Sequence, residues 1–172
     1  MNETETLALS QRDRQTITAR EVADYFLSIA RESDRPINIY KLQKLTYYAQ
    51  AWYLGLYELP LFEEDFQAWV HGPILPELFK IKRDWQPITQ FSQKPNFPLD
   101  VQEFLEEVWQ VYGEHNSEEL ERMTCSESPW QNVRKNLPRD EPCHKIIPKI
   151  SLHQYYSRRA EEEEEPDQES SY

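Results

Sequence analysis

The sequence predicts a mainly α-helical fold, a compact single-domain bundle around a central aromatic helix, with a short β segment near residues 66–70. Two observations carry this prediction. Several segments repeat apolar residues at three- and four-residue spacing behind clear helix-start signals, whereas strand-like alternation occurs at one place only. The 172 residues fit one domain, and five Trp, ten Tyr and seven Phe supply large apolar areas for its core.

The first helix is predicted over residues 19–32. Thr18 and Glu21 have the spacing of a capping box, in which each side chain accepts a hydrogen bond from the other residue's backbone N–H. Ile17 and Val22 flank the box as a hydrophobic staple. The apolar face of this helix comprises Val22, Phe26, Ile29 and Ala30.

The second helix is predicted over residues 39–57, with Asn38 as its N-cap. Tyr48 and Tyr53 widen its apolar stripe, so we expect burial on more than one side and a central position in the domain. The stripe consists of Leu42, Leu45, Ala49, Trp52 and Leu56.

A short extended segment and a tight turn follow this helix. Residues 66–70 alternate large and small side chains, as a strand does. His71, Gly72 and Pro73 then predict a turn, because glycine accepts a positive φ and proline fixes its own φ. Pro76 fits the first turn of a short helix that ends near residues 79–82.

The segment 84–97 contains two prolines and is predicted to be a surface loop, with one weak pairing segment near residues 88–91. A further helix should begin at Asp100, with Glu103 in a capping box and Leu99 in a staple with Phe104. Gly113 should end it. Its apolar face comprises Phe104, Leu105, Val108, Val111 and Tyr112.

Three more helices are predicted. Ser117 can cap a brief helix over residues 118–124, and Ser128 with Pro129 starts another that reaches residue 135. The last begins at Pro148, anchored by Ile150, Tyr155 and Tyr156. We therefore expect an N-terminal arm over residues 1–16, one domain over residues 17–157, and an acidic disordered tail over residues 158–172.

Charge and composition exclude several classes of protein. The net charge is −12, and residues 1–157 alone carry 24 acidic and 17 basic residues. Direct nucleic-acid binding is therefore disfavoured, because it needs clustered Lys and Arg. No apolar run approaches the roughly 20 residues that span a bilayer. Two cysteines and an N-terminus without signal-peptide features indicate a cytoplasmic protein.

Two separated motif blocks resemble the Panacea domain family of SocA-like antitoxins. The first covers residues 41–79, and its characteristic members are Lys41, Leu42, Lys44, Leu45, Tyr48, Trp52, Trp69, Gly72 and Pro73. The second reads Thr124-x-x-Glu127-x-Pro129-Trp130 after a short helix with Glu119 and Leu120. One position departs from the pattern: Cys125 stands where the family often has histidine.

The resemblance implies a non-enzymatic antitoxin that binds and neutralises a cognate toxin protein, usually the product of the adjacent gene. The resemblance implies direct neutralisation as the commoner mode of action. A second mode is an adaptor that delivers the toxin to a protease complex. The motif residues would form a shared scaffold and leave the partner-specific surface open.

The candidate toxin-binding residues come from the sequence itself. Trp85 and Phe91 lie in the polar loop, and Trp109 lies just off the apolar stripe of its helix; exposed aromatic side chains are the usual hot spots of protein interfaces. His71 at the glycine turn is the fourth candidate. By contrast, Trp52, Trp69 and Trp130 are predicted to be core residues.

One enzymatic alternative stays open, a hydrolase that uses Cys125 or His71. The sequence contains neither C-x-x-C nor H-E-x-x-H spacing, and its three glycines are isolated, so no metal and no cofactor is predicted. The acidic tail could also compete for the substrate site of the toxin, although a solvated tail explains the same residues more simply.

Overall fold

The computed structural model describes residues 17–90 and 93–164, and within these ranges the fold is mainly α with one small sheet. The elements in chain order are α1 (Ala19–Glu32), α2 (Ile39–Tyr57), β1 (Gln67–Trp69), β2 (Gly72–Ile74), a 3-10 helix (Pro76–Lys80), α3 (Leu99–Tyr112), α4 (Ser117–Cys125), α5 (Ser128–Arg134) and α6 (Lys149–Glu164). The predicted fold class is thus confirmed, with the β segment at the predicted place. Among the described helices, none is long and apolar enough to cross a membrane.

Helix α2 is the centre of the structure, as predicted. It packs against α1, α3, α4, α6, the β-hairpin and the 3-10 helix, and most of its residues are buried. Two buried glutamines of α2 form hydrogen bonds with the backbone of neighbouring segments that lie outside the helices and strands. Gln43 exchanges hydrogen bonds with both backbone groups of Leu75 (2.9 and 2.8 Å), and Gln50 bonds the backbone at Leu61 and Phe62.

Local capping explains why α1 and α2 begin where the sequence predicts. The Glu21 backbone N–H donates to the Thr18 hydroxyl (3.2 Å), and the Thr18 N–H donates to the Glu21 carboxylate (3.1 Å). The Asn38 side chain accepts from the Lys41 N–H (2.8 Å). These bonds satisfy amides that a helix leaves without an internal partner.

Two predicted caps are wrong, by two residues at α3, whose N-cap is Pro98, and by one residue at α4. Helix α3 begins at Leu99, so Asp100 lies inside its first turn instead of capping it, and Leu99 is exposed instead of forming a staple. Asn116 rather than Ser117 caps α4, through a bond from the Glu119 N–H (2.8 Å). In both places residues within two positions of each other can each begin the helix, and spacing alone does not decide between them.

The predicted turn at Gly72 is the bend of an antiparallel hairpin. Gln67 pairs with Ile74, and Trp69 pairs with Gly72, whose φ is 103°. A Cβ at Gly72 would come within 2.8 Å of the Lys44 side chain, so only glycine fits. The Ile147 N–H donates to Phe66 and the Ala68 N–H donates to Lys145, which adds a third extended segment to the hairpin.

Helix α6 lies along α2 at very short range. Its buried anchors are Leu152 and Tyr156, whereas Ile150, predicted as an anchor, is exposed because it lies two residues from Leu152 and therefore on the other side of the helix. The helix continues to Glu164. Residues 158–164, predicted to belong to a disordered tail, are therefore helical.

Two further predictions about burial are wrong. Leu56 and Val111 belong to the predicted apolar stripes of α2 and α3, yet they are 47% and 57% exposed.

The loop before α3 contains no strand in its described residues; instead the Ile88 N–H donates to the carbonyl of Ile37 (2.8 Å).

Candidate functional site

Five aromatic rings form a continuous row at the surface near the hairpin. We call this row the aromatic surface, and its members are Trp85, Tyr40, Phe79, Trp69 and His144. Successive ring centroids are 4.7, 6.2, 5.8 and 5.2 Å apart in that order. Such contacts hold large rings in fixed orientations. Trp85 ends the row and is 68% exposed.

Four different elements position these rings. Tyr40 lies in the first turn of α2, Trp69 ends β1, Phe79 belongs to the 3-10 helix, and His144 precedes the segment that pairs with β1. Helix α5 holds the hairpin from behind, because the Trp130 indole N–H donates to the carbonyl of Trp69 (2.8 Å). Tyr40, Trp69 and Phe79 therefore lie on regular elements, whereas Trp85 and His144 lie in irregular segments.

A hollow of about 430 Å³ opens beside the row. Apolar and aromatic side chains line most of it, and His71 and Asp140 stand at its edge. The His71 ring approaches the Glu121 carboxylate (3.0 Å), which also accepts from Arg139 (3.3 Å). An apolar floor with a charged margin is the usual composition of a protein-binding patch.

The predicted candidate residues divide into three groups. Trp85 and His71 both belong to this region and are exposed. Trp109 is only 8% exposed, so its prediction as an exposed anchor is wrong: the Lys41 ammonium lies over its ring (5.8 Å) and donates to the carbonyl of Gly113. Phe91 lies outside the described residues.

The motif residues of α2 support the hairpin from the core side. Leu42 and Leu45 are fully buried, and the Lys44 side chain runs under the turn, where its ammonium donates to the carbonyl of Pro73 (3.4 Å). Burial lowers the pKa of Lys44 to about 8. Pro129 and Trp130 are buried at the start of α5.

A second polar centre, the Glu127 junction, joins three segments inside the protein. The buried Glu127 carboxylate accepts hydrogen bonds from Tyr48 of α2 (3.0 Å), and from Tyr156 (2.9 Å) and Arg159 (2.7 Å) of α6. Burial raises the pKa of Glu127, while the donors from Tyr156, Arg159 and Tyr48 oppose that rise. The junction fastens α6 to the body of the domain.

Aromatic rings surround this junction. The Tyr48 ring stacks on that of Tyr112 (3.9 Å), and the Trp52 indole N–H donates to the Tyr112 hydroxyl (2.6 Å). The Arg159 guanidinium lies over the Trp52 ring (5.2 Å). Trp52 and Trp69, predicted as core residues, are half-buried, whereas Trp130 is buried as predicted.

The hydrolase hypothesis gains no geometric support. Cys125 is buried, and this burial raises the pKa of its thiol, which opposes the thiolate that a nucleophile needs. His71 is oriented by Glu121 but lies at the exposed hairpin turn. Within residues 17–90 and 93–164, no group of His, Cys, Asp and Glu is arranged to hold a metal ion.

Sequence reasoning missed Tyr40, Phe79 and His144 as members of the surface. Tyr40 had no usable local signal, because Lys44 and Tyr47 lie on the same side of α2 and are buried. Arg159 was also missed. Its partner Glu127 lies 32 residues away, and no local pattern connects them.

Comparison with known proteins supplies the remaining evidence. The family model "Antitoxin SocA-like, Panacea domain" matches residues 42–131, which is more than half of the chain. The chain is also similar to Antitoxin SocA of Caulobacter vibrioides (strain NA1000 / CB15N), with 29% identity over 137 residues, covering 71% of this chain and 73% of that protein. No solved structure matches it.

Proposed function

The chain belongs to the SocA-like antitoxins that carry the Panacea domain, and from that membership we propose that it binds and neutralises a cognate toxin protein, the product of the adjacent gene. We propose further that direct protein–protein contact is the mode of neutralisation and that the chain performs no catalysis. The aromatic surface is the contact region.

The observation that carries this proposal is the row of rings that ends in Trp85. Large rings held by their neighbours lose little side-chain freedom when a partner covers them, so most of their burial contributes to affinity. Glu121 and Arg139 supply charged groups beside the apolar hollow, and His71 supplies a polar ring, which together favour one orientation of the partner. The excess of negative charge also favours capture of a basic toxin.

The first prediction tests the aromatic surface. Co-expression of the adjacent gene product with the wild-type protein should restore growth and give a complex that copurifies. We expect Trp85→Ala to weaken this complex by about thirtyfold or more, as truncation of an aromatic hot spot does. Calorimetry on the purified pair measures the change.

Leu99→Ala is the matched control. Leu99 is 69% exposed, close to the exposure of Trp85, but it lies at the start of α3 and outside the aromatic surface. Equal loss of binding in both variants, or full binding by Trp85→Ala, would contradict the assignment of this surface. A wild-type protein that neither binds nor protects would contradict the proposed function itself.

Delivery to a protease complex is a second mode for the same antitoxin role, and its signature is kinetic. Direct neutralisation leaves the half-life of the toxin unchanged or lengthens it, because binding protects a folded partner. An adaptor shortens that half-life. A chase experiment in cells with and without this protein separates the two modes.

A further inference from the structure

A groove bounded by α2, α3 and α6 lies apart from the residues of the aromatic surface. It encloses about 450 Å³. Trp52 and Leu56 of α2 form one wall, Phe104, Val108 and Val111 of α3 form the second, and Ala160 with the stem of Arg159 forms the third. The walls are therefore largely apolar.

Two residues of this groove are exposed although the apolar pattern of their helices predicts that they are buried. Leu56 and Val111 continue the apolar stripes of α2 and α3, whose other members are mostly buried, yet they remain 47% and 57% exposed. Both line the same groove. An apolar stripe that runs on into an open groove has the form of an interface without its partner.

The margin of the groove is acidic. Glu107 stands on the α3 side, and Glu163 and Glu164 stand on the α6 side. The cation within the groove, Arg159, already pairs with Glu127 (2.7 Å). An incoming partner therefore meets carboxylates around an apolar floor, which is complementary to a segment with an apolar stripe and flanking Lys or Arg.

We propose that this groove binds a basic amphipathic helix of the toxin, as a contact separate from the aromatic surface. The proposal rests on the proposed antitoxin function. Apolar residues at three- and four-residue spacing enter the groove between α3 and α6, as helix-in-groove recognition requires. Flanking Lys and Arg side chains lay their apolar stems on the groove and reach the three glutamates with their charged groups.

Charge argues against a second copy of this chain as the occupant. A symmetric dimer places the same patch on both subunits, so two sets of Glu107, Glu163 and Glu164 would face each other. Like charges at an interface oppose association. A basic partner meets no such repulsion.

The test compares two pairs of charge reversals on one helix, in the full chain. Glu163→Lys with Glu164→Lys changes the margin of the groove, whereas Glu161→Lys with Glu162→Lys changes exposed residues of α6 outside its lining. The two variants have the same net charge. We expect the groove variant to bind the purified toxin about tenfold more weakly than the control variant, and Leu56→Asp to weaken binding at least as much.

Each outcome supports or overturns the proposal. Equal affinities for the two charge variants, together with undiminished binding by Leu56→Asp, overturn the groove while the antitoxin function stands. A wild-type protein that binds no toxin overturns both. Sedimentation of the free protein completes the test, because a dimer that Leu56→Asp dissociates would identify a second copy as the occupant and overturn the toxin helix.

Discussion

At the scale of one residue, the buried side chain of Lys44 supports the hairpin turn and at the same time lowers the free energy of unfolding. Its side chain is fully buried, and its ammonium donates to the carbonyl of Pro73 at 3.4 Å. A pKa lowered from 10.5 to about 8 corresponds to a cost of about 3 kcal/mol at neutral pH. In return the side chain occupies the space under Gly72 that no Cβ can share.

The pH dependence of this cost has a definite sign. Below about pH 8 both the folded and the unfolded chain hold the Lys44 proton, so the cost is constant. Between about pH 8 and 10.5 the unfolded chain retains a proton that the folded chain has lost. The contribution of Lys44 to the free energy of unfolding therefore rises with pH across this window.

We expect Lys44→Met to raise the free energy of unfolding at pH 7 by about 2 kcal/mol, because a side chain of similar length replaces a buried charge. The advantage should shrink as the pH rises from about 8 to 10. Denaturant titrations of both proteins at several pH values measure it. Lys80→Met is the control, since Lys80 is exposed and should change stability by no more than about 0.5 kcal/mol. A destabilised Lys44→Met protein at pH 7 would contradict this account.

The tryptophans show what can be predicted for single residues. Trp85 lies among polar and proline residues, and local composition correctly indicates exposure. Trp109 lies at the edge of the apolar stripe on α3, where burial depends on which side chains of a neighbouring element pack over it. Lys41 of α2 supplies that cover, and this contact between residues 68 positions apart has no local signature.

At the scale of elements, helices α2 and α6 pack at very short distance around Gly55. A Cβ added at Gly55 would lie 2.6 Å from the Cβ of Tyr156 and 2.7 Å from its backbone carbon. The Ser157 hydroxyl also donates to the Gly55 carbonyl (3.1 Å). Glycine is required here by the neighbouring helix and not by its own backbone conformation.

Gly55→Ala should therefore push α6 away from α2 and lower the free energy of unfolding by about 3 kcal/mol, although alanine favours helices. The bonds of the Glu127 junction should lengthen with it, which a loss of hydrogen-exchange protection along α6 would report. Ser157→Ala is the control for the hydrogen bond alone and should cost about 1 kcal/mol. A Gly55→Ala protein as stable as wild type would refute the close approach.

Elements were predictable where short-range chemistry defines them. The capping residues Thr18 and Asn38 act on amides three positions away, and the helices that they begin have the predicted bounds. Strand β2 was not predicted, because Gly72, Pro73 and Ile74 become a strand only by pairing with β1. The Glu127 junction likewise depends on bringing α2, α5 and α6 together, so sequence spacing could not reveal it.

At the scale of the whole molecule, charge governs how a partner arrives. The net charge of −12 creates a field that attracts a basic partner, such as the proposed toxin, before any contact forms. We expect the association rate with such a toxin to fall by about tenfold when the salt concentration rises from roughly 50 mM to roughly 500 mM. Stopped-flow mixing at several salt concentrations measures this rate.

Trp85→Ala provides the contrast in that experiment, because loss of a neutral ring should increase the dissociation rate and leave the salt dependence of association unchanged. An association rate that is independent of salt would rule out electrostatic steering. The prediction concerns the rate of capture and is separate from where on the protein the toxin binds.

The position of α6 in the chain determines when the protein can complete its core during synthesis. Helix α2 ends at Tyr57, but the helix that lies along it ends at Glu164, so one face of α2 stays open while the intervening residues are made. At roughly 5–20 residues per second, translation of that interval takes roughly 5–20 seconds. A chain with this topology therefore reaches its native form only late in its own translation, after most of α6 has been made.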